Sequence, residues 1–232
     1  MKKYELTTET LQLAGLTLHR IKAVKNFGSV KAGELGGWIE SEENLSQADN
    51  AWVYNNAKVF DKARVYGDAA VSDDARVYNY ATIYDNARVY NYATIYDNAR
   101  VYDNAEVSEY AEVCKNAKVC GYAKVCDNAQ IFDYAKVYGY AEVYGNVRIY
   151  GNAAIKGDAK VYDAADYIVF KNFWSSGRYF TWTRSNNKWS VGCFHGTGEE
   201  LIKKAYADSE KSGREYERVV RYVESILADE RK

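Results

Sequence analysis

A chain of 232 residues in which one six-residue unit recurs nineteen times is predicted to be mainly β. The expected architecture is a left-handed parallel β-helix, a hexapeptide-repeat solenoid, followed by a small C-terminal α+β domain. Three observations predict it. Val or Ile stands at every sixth position from Val53 to Val161 without a miss. Ala precedes it by two residues from Ala51 to Ala159, broken once by Val147. The two residues closing each unit are turn formers, such as Asp85-Asn86, Asp127-Asn128 and Gly151-Asn152. Strict periodicity of this kind marks a stacked repeat, and it outranks residue-by-residue propensity.

Ala-x-Val alternates with period two, so Ala and Val face one side of a short strand and the residue between them faces the other. A three-residue strand buries nothing alone. Stacked in coils of three hexads, small Ala and branched Val fill a triangular prism. With about 4.8 Å of rise per coil, nineteen hexads give roughly six coils and a rod on the order of 30 Å.

Residues 1–50 precede the repeat and are expected to cap it, because an uncovered first coil would leave strand edges and core open. Thr17 to Val24 reads as a strand, pairing with an earlier segment around Ala14-Gly15. Leu35-Gly36-Gly37-Trp38-Ile39 follows, then Asn44-Leu45-Ser46-Gln47, with Trp38 expected to plug the open end. On these residues the chain resembles uncharacterised bacterial and phage proteins that carry a "GxLGGW(I/V)…NLSQ" cap ahead of hexapeptide repeats. That resemblance covers residues 1 to about 165 and implies fold and capping, with no assigned chemistry to carry over.

The repeat spans residues 51–165. Residues 76–87 recur identically at 88–99, shifted by two hexads rather than three, so each residue changes face. Such a tract behaves as interchangeable spacer. Three hexads apart, the outward slots form ladders. Arg88, Glu106, Lys124, Glu142 and Lys160 alternate in sign. Arg64, Thr82, Arg100, Lys118 and Lys136 are mostly basic and flanked by tyrosines, a pattern compatible with single-stranded nucleic acid. The formal charge of −1 favours an ordinary solvated face instead. Cys114, Cys120 and Cys126 occupy the Tyr slot of successive hexads. They fall on three different faces, so no shared metal site or disulfide is expected.

Residues 166–232 break the pattern and read as a separate α+β domain. Tyr167 to Phe170 is a strand, and Arg178–Arg184 and Lys188–Phe194 form a hairpin. Two capping boxes, Thr197 to Glu200 and Ser212 to Glu215, open two amphipathic helices. The aromatic residues Phe173, Trp174, Tyr179, Phe180, Trp182, Trp189 and Phe194 exceed what one small sheet face needs. Candidate partner-binding residues are therefore Arg178, Tyr179, Phe180, Trp182, Arg184, Lys188 and Trp189, because Trp, Tyr and Arg dominate binding hot spots.

The functional expectation follows from inventory. Hexapeptide β-helices commonly belong to acyltransferases, which use a His at a subunit boundary. Here both histidines, His19 and His195, lie outside the repeat. The chain is accordingly expected not to be an enzyme and to need no cofactor or metal. It is read as a rigid spacer presenting a C-terminal module that binds a protein partner or a second copy of itself. The alternatives are a phage-encoded inhibitor of a host defence system and, from the fold, an acyltransferase. Without a membrane-length apolar run or a signal-peptide core, the expected compartment is the cytoplasm.

Overall fold

The computed structural model describes residues 2–172, 174 and 177–230. Its core is a parallel β-solenoid of seven coils with three flat faces, closed at both ends by non-repeating chain.

Two long strands, β1 (Tyr4–Leu13) and β2 (Leu16–Ala23), form an antiparallel hairpin around Ala14-Gly15. β2 pairs with β3 (Leu35–Ile39), and β3 pairs in parallel with Lys58–Val59. Nineteen two-residue strands, β4 to β22, follow from Trp52–Val53 to Lys160–Val161, one per hexad. Each pairs with the strand eighteen residues on, as in Arg88 with Glu106 and Val89 with Val107. Face 1 runs from Trp38 through Lys58, Arg76, Thr94, Glu112 and Gln130 to Arg148. Face 2 runs from Leu45 through Arg64 to Ala154, and face 3 from Trp52 to Lys160. The first coil is therefore built by residues 38–53, all but the last three of them in the stretch expected only to cap. That is why the rod has seven coils and not six, about 34 Å at the usual strand spacing.

Every Ala and Val/Ile slot from Ala51 to Val161 is buried, and together they form one continuous core. The corners explain the turn residues. The first residue of each corner has positive φ, from 53° at Asn55 to 78° at Gly139, which Asn, Asp and Gly tolerate best. Many corner carboxylates also reach one coil along and accept a backbone N–H, as Asp127 does from Gly145 at 2.8 Å and Asp103 from Gly121 at 2.9 Å.

Trp38 does not plug the prism. Its position in the ladder is the outward one, opposite Lys58, and its ring lies 5.2 Å from the Arg20 guanidinium. The opening is closed by the hairpin and the loop after it, which bury Tyr4, Ile21, Ala23 and Val30 against the first coil. Gly36 serves close approach, since a Cβ there would lie 2.6 Å from Ile21, from Trp52 and from the Val53 carbonyl.

The C-terminal domain is a four-stranded antiparallel sheet, β23 (Tyr167–Lys171), β24 (Tyr179–Thr183), β25 (Lys188–Val191) and β26 (Phe194–Gly196), in that order. Two helices, α1 (Gly198–Asp208) and α2 (Glu210–Asp229), cover one side of it. β26 is an addition to the hairpin read from the sequence, reached by a two-residue turn at Gly192-Cys193. α1 opens on the expected Thr197/Glu200 capping box. α2 starts three residues earlier than expected, because Ser209 caps it and leaves Ser212 inside its first turn. Among the described residues no helix is long and apolar enough to cross a membrane.

Candidate functional site

Strand alternation gives the C-terminal sheet two sides, and the fold uses both. Phe180, Trp182, Trp189 and Val191 face the helices and are buried with Leu201, Ile202, Val220 and Val223. Tyr167 and Val169, on the other side, pack against the solenoid core, and the Thr181 hydroxyl oxygen accepts from the Ala154 N–H at 2.9 Å. The expected recognition surface built on Phe180, Trp182 and Trp189 is thus corrected. These three rings are 1–2% exposed because they are the hydrophobic core of a small domain that has no other.

Of the polar members of that set, Arg184 ties the end of α2 to the turn leading into the domain, and Lys188 faces the rod. Arg184 forms a two-pronged pair with Glu230, at 2.8 and 3.2 Å, and donates to the Ala165 carbonyl at 3.1 Å. Lys188 lies 3.9 Å from Asp158, whose carboxylate also accepts from Asn186 at 2.9 Å and is held below its usual range by that bond. Ser185 accepts the Lys160 N–H at 2.7 Å. Arg178 is exposed beside Gly192, and Tyr179 is half-buried. Phe173 lies outside the described residues.

His195 takes part in the same junction. Its ring lies over the Gly157 corner, where an added Cβ would sit 2.5 Å from Nε2. Nδ1 is 3.1 Å from the Ser190 hydroxyl, while Nε2 is buried without a partner. Burial, and then Lys156 and Lys188, hold its pKa below the ordinary value. Its surroundings are those of a packed wedge.

Between the overhanging sheet and the seventh coil lies a cleft of about 1190 Å³. Its floor is the last strand of face 1, Arg148–Ile149, with the corners at Asn146 and Asn152. Its walls are Tyr162, Asp163, Tyr167, Ile168, Val169 and Tyr179. Arg148 stacks its guanidinium 5.0 Å from the Phe132 ring, and the Tyr167 hydroxyl donates to the Arg148 carbonyl at 2.7 Å. Burial pushes the Tyr167 phenol up to about 12, so at neutral pH it is a donor and not a base. Asp163 and Asp166 cap the short 3-10 turn Ala164–Asp166 that carries the chain off the rod. The cleft therefore offers aromatic rings, amide side chains, one cation and backbone donors. Of the residues singled out in the sequence, Tyr179 alone lines it. The signals that mark the rest are the single break of the Ala slot at Val147 and the end of the repeat one coil later.

Arg64, Arg100, Lys118 and Lys136 do form one column on face 2, in register with Thr82 and Ala154. Among the described residues none of the four makes an ion pair. The flanking rings of Tyr66, Tyr84 and Tyr102 stack on one another at 5.0 and 4.9 Å, nearly parallel, so they present edges to solvent. Cys114, Cys120 and Cys126 lie in three different columns, following Tyr96, Tyr102 and Ser108 respectively.

Two comparisons with known proteins bear on the repeat and on the chain as a whole. A family profile described as "YdcK Beta solenoid repeat" matches residues 81–96 and 93–109. The chain is also similar to a protein of Escherichia coli (strain K12) named "Uncharacterized acetyltransferase YdcK", 36% identical over 69 residues. That match covers 26% of this chain and 21% of the relative, so the chain spans about a fifth of the relative's length. It overturns the expectation that the chain is not an enzyme. A count of histidines within one repeat is too narrow a test when a similar solenoid carries a transferase name. Neither comparison supports the phage or defence-inhibitor reading. In repeat and in architecture, the chain is a β-solenoid repeat protein.

Proposed function

We propose that the protein is a rigid β-solenoid platform that recognises its partner in the cleft where the C-terminal domain overhangs the seventh coil. The position of that cleft carries the reading. Binding sites concentrate at domain junctions, lined by apolar and aromatic groups with a few placed polar ones, and this junction combines Tyr162, Tyr167 and Tyr179 with Arg148, Asn146 and Asn152. The rod supports the same role, since each coil is bonded to the next and holds the cleft at a fixed distance from the N-terminal hairpin.

Asn152→Trp tests it. The equivalent slot one coil earlier holds Tyr134, so an aromatic ring is tolerated there, and at 152 it would fill the cleft. A ligand captured by the full chain and lost by Asn152→Trp supports the proposal. A ligand retained by that variant removes it.

The relative's name favours a second reading, in which the cleft holds an acyl donor for transfer. The described lining residues offer binding and polarisation, through Arg148 and the Tyr hydroxyls, and the proton acceptor would come from the acceptor substrate or a second copy. Calorimetric titration of the full chain with acetyl-coenzyme A is the check. Heat that disappears in Asn152→Trp favours this reading, and no heat at millimolar donor ends it.

A further inference from the structure

Within the solenoid each coil donates backbone N–H groups toward the next. On face 1, Gln130 and Phe132 donate to the carbonyls of Val147 and Ile149 at 2.8 and 3.0 Å. One coil on, the corresponding donors are the N–H groups of Arg148 and Tyr150, in the last strand of that sheet. The C-terminal domain and its leading turn supply acceptors on the other two faces: Thr181 for Ala154, Ser185 for Lys160 and Asp166 for Tyr162. On face 1 neither Arg148 N–H nor Tyr150 N–H has a partner among the described residues.

The repeat register explains the gap. An eighth coil would set residues 166–168 against 148–150. The capped turn at Ala164–Asp166 carries the chain away first, and β23 reaches back by packing Tyr167 and Val169 on the core and by the Tyr167 hydroxyl on the Arg148 carbonyl. The open strand position lies over Arg148 and Tyr150, which line the cleft, with the Tyr167 hydroxyl on the carbonyl between the two donors.

We infer that an extended segment of a partner protein binds there as an added strand, displacing the Tyr167 hydroxyl from the Arg148 carbonyl, its own carbonyls accepting from the backbone N–H groups of Arg148 and Tyr150. The inference rests on the cleft being the recognition site. A strand edge with unpaired N–H groups is a ready template for an incoming chain. Two residues separate the donors, about 6.6 Å, which is the spacing of same-edge carbonyls in an extended peptide. A single phosphate or carboxylate is too small to span both. The Arg148 guanidinium beside the floor favours a segment carrying an acidic residue.

The test uses random decapeptides displayed on phage, selected on the full-length protein and then made synthetically. Tyr150→Pro deletes one donor that no internal bond uses, and its carbonyl still accepts from Ala153. Proline is tolerated on edge strands for that reason. Tyr150→Ala removes the ring and keeps the donor. Selected peptides are expected to bind Tyr150→Ala within about threefold of the parent chain and Tyr150→Pro at least tenfold more weakly, the scale of one lost hydrogen bond plus a ring in its place. In the unsubstituted protein, amide exchange at Arg148 and Tyr150 should slow on binding, a readout independent of how the proline variant folds. Peptides that bind Tyr150→Pro normally, or that leave both amides unprotected, overturn the added strand while leaving the cleft as the site. Peptides indifferent to Asn152→Trp overturn both. Failure to select any peptide, or protection of the two amides by acetyl-coenzyme A alone, also overturns the inference.

Discussion

At the scale of single residues, the corners carry more of the stability than their exposure suggests. Asp127 sits at φ 58° and its carboxylate accepts the Gly145 N–H at 2.8 Å. Asp127→Ala keeps the strained backbone and loses the bond, so it should cost about 1–2 kcal/mol in denaturant unfolding. Lys3 is a different case. Its ammonium is buried at the first corner, donating to the carbonyls of Asp49 and Ala51 at 2.9 and 2.8 Å, with the Phe27 ring 4.9 Å away. Burial lowers its pKa from 10.5 to about 8, partly offset by Asp49. Between those two values the unfolded chain binds more protons than the folded one, so this group makes stability rise with pH across the window. Below about pH 8 the buried charge is carried at a cost. The stability difference between the parent chain and Lys3→Met should therefore shift in favour of the parent from pH 8 to 10.5, read by urea melts in parallel. A flat difference would show that Lys3 titrates normally.

At the scale of strands and faces, what decides is how like or unlike charges stack every 4.8 Å or so. Face 3 alternates in sign and closes one pair, Lys160 with Glu142 at 3.0 Å. Face 2 sets Arg100, Lys118 and Lys136 in succession, which is mildly unfavourable. Lys118→Glu should stabilise the solenoid by a few tenths of a kcal/mol at low salt. The gain should vanish near 1 M salt, where screening is nearly complete, and a salt-independent gain would refute the electrostatic cause. These ladders were legible in the sequence because an eighteen-residue period leaves no freedom in register. The helix ends were less so: Ser212 and Glu215 match a capping pattern, yet Ser209 captures the cap three residues earlier. The domain's aromatic residues misled for a physical reason. Alternation assigns Phe180 and Trp182 to one side of a strand, but it cannot tell whether helices or solvent cover that side. The cleft was least visible of all, since it is made by where the repeat stops and by how the next segment crosses it.

At the scale of the whole molecule, a solenoid is a chain of nearest-neighbour interfaces, so its stability depends on how its ends are held. The C-terminal domain holds one end through polar bonds to the last coil and through Tyr167 and Val169 packed on the core, with His195 wedged on Gly157. Gly157→Ala would set a Cβ against the His195 ring at a corner with φ 71°, straining the backbone and lifting the sheet. The expected result is graded: faster amide exchange over residues 136–161 and little change over 58–95, by hydrogen exchange and mass spectrometry. Uniform acceleration along the rod would mean that the solenoid unfolds as one unit and that the domain is no local clamp. Acid should act on the same contact. Because burial depresses the His195 pKa, the folded chain resists a proton that the unfolded chain accepts, and the clamp's contribution falls as pH drops below about 6.5. His195→Gln cannot take that proton, so exchange over 136–161 in this variant should lose its acceleration between pH 6.5 and 5. If parent and variant respond alike to acid, the clamp's pH dependence does not come from His195.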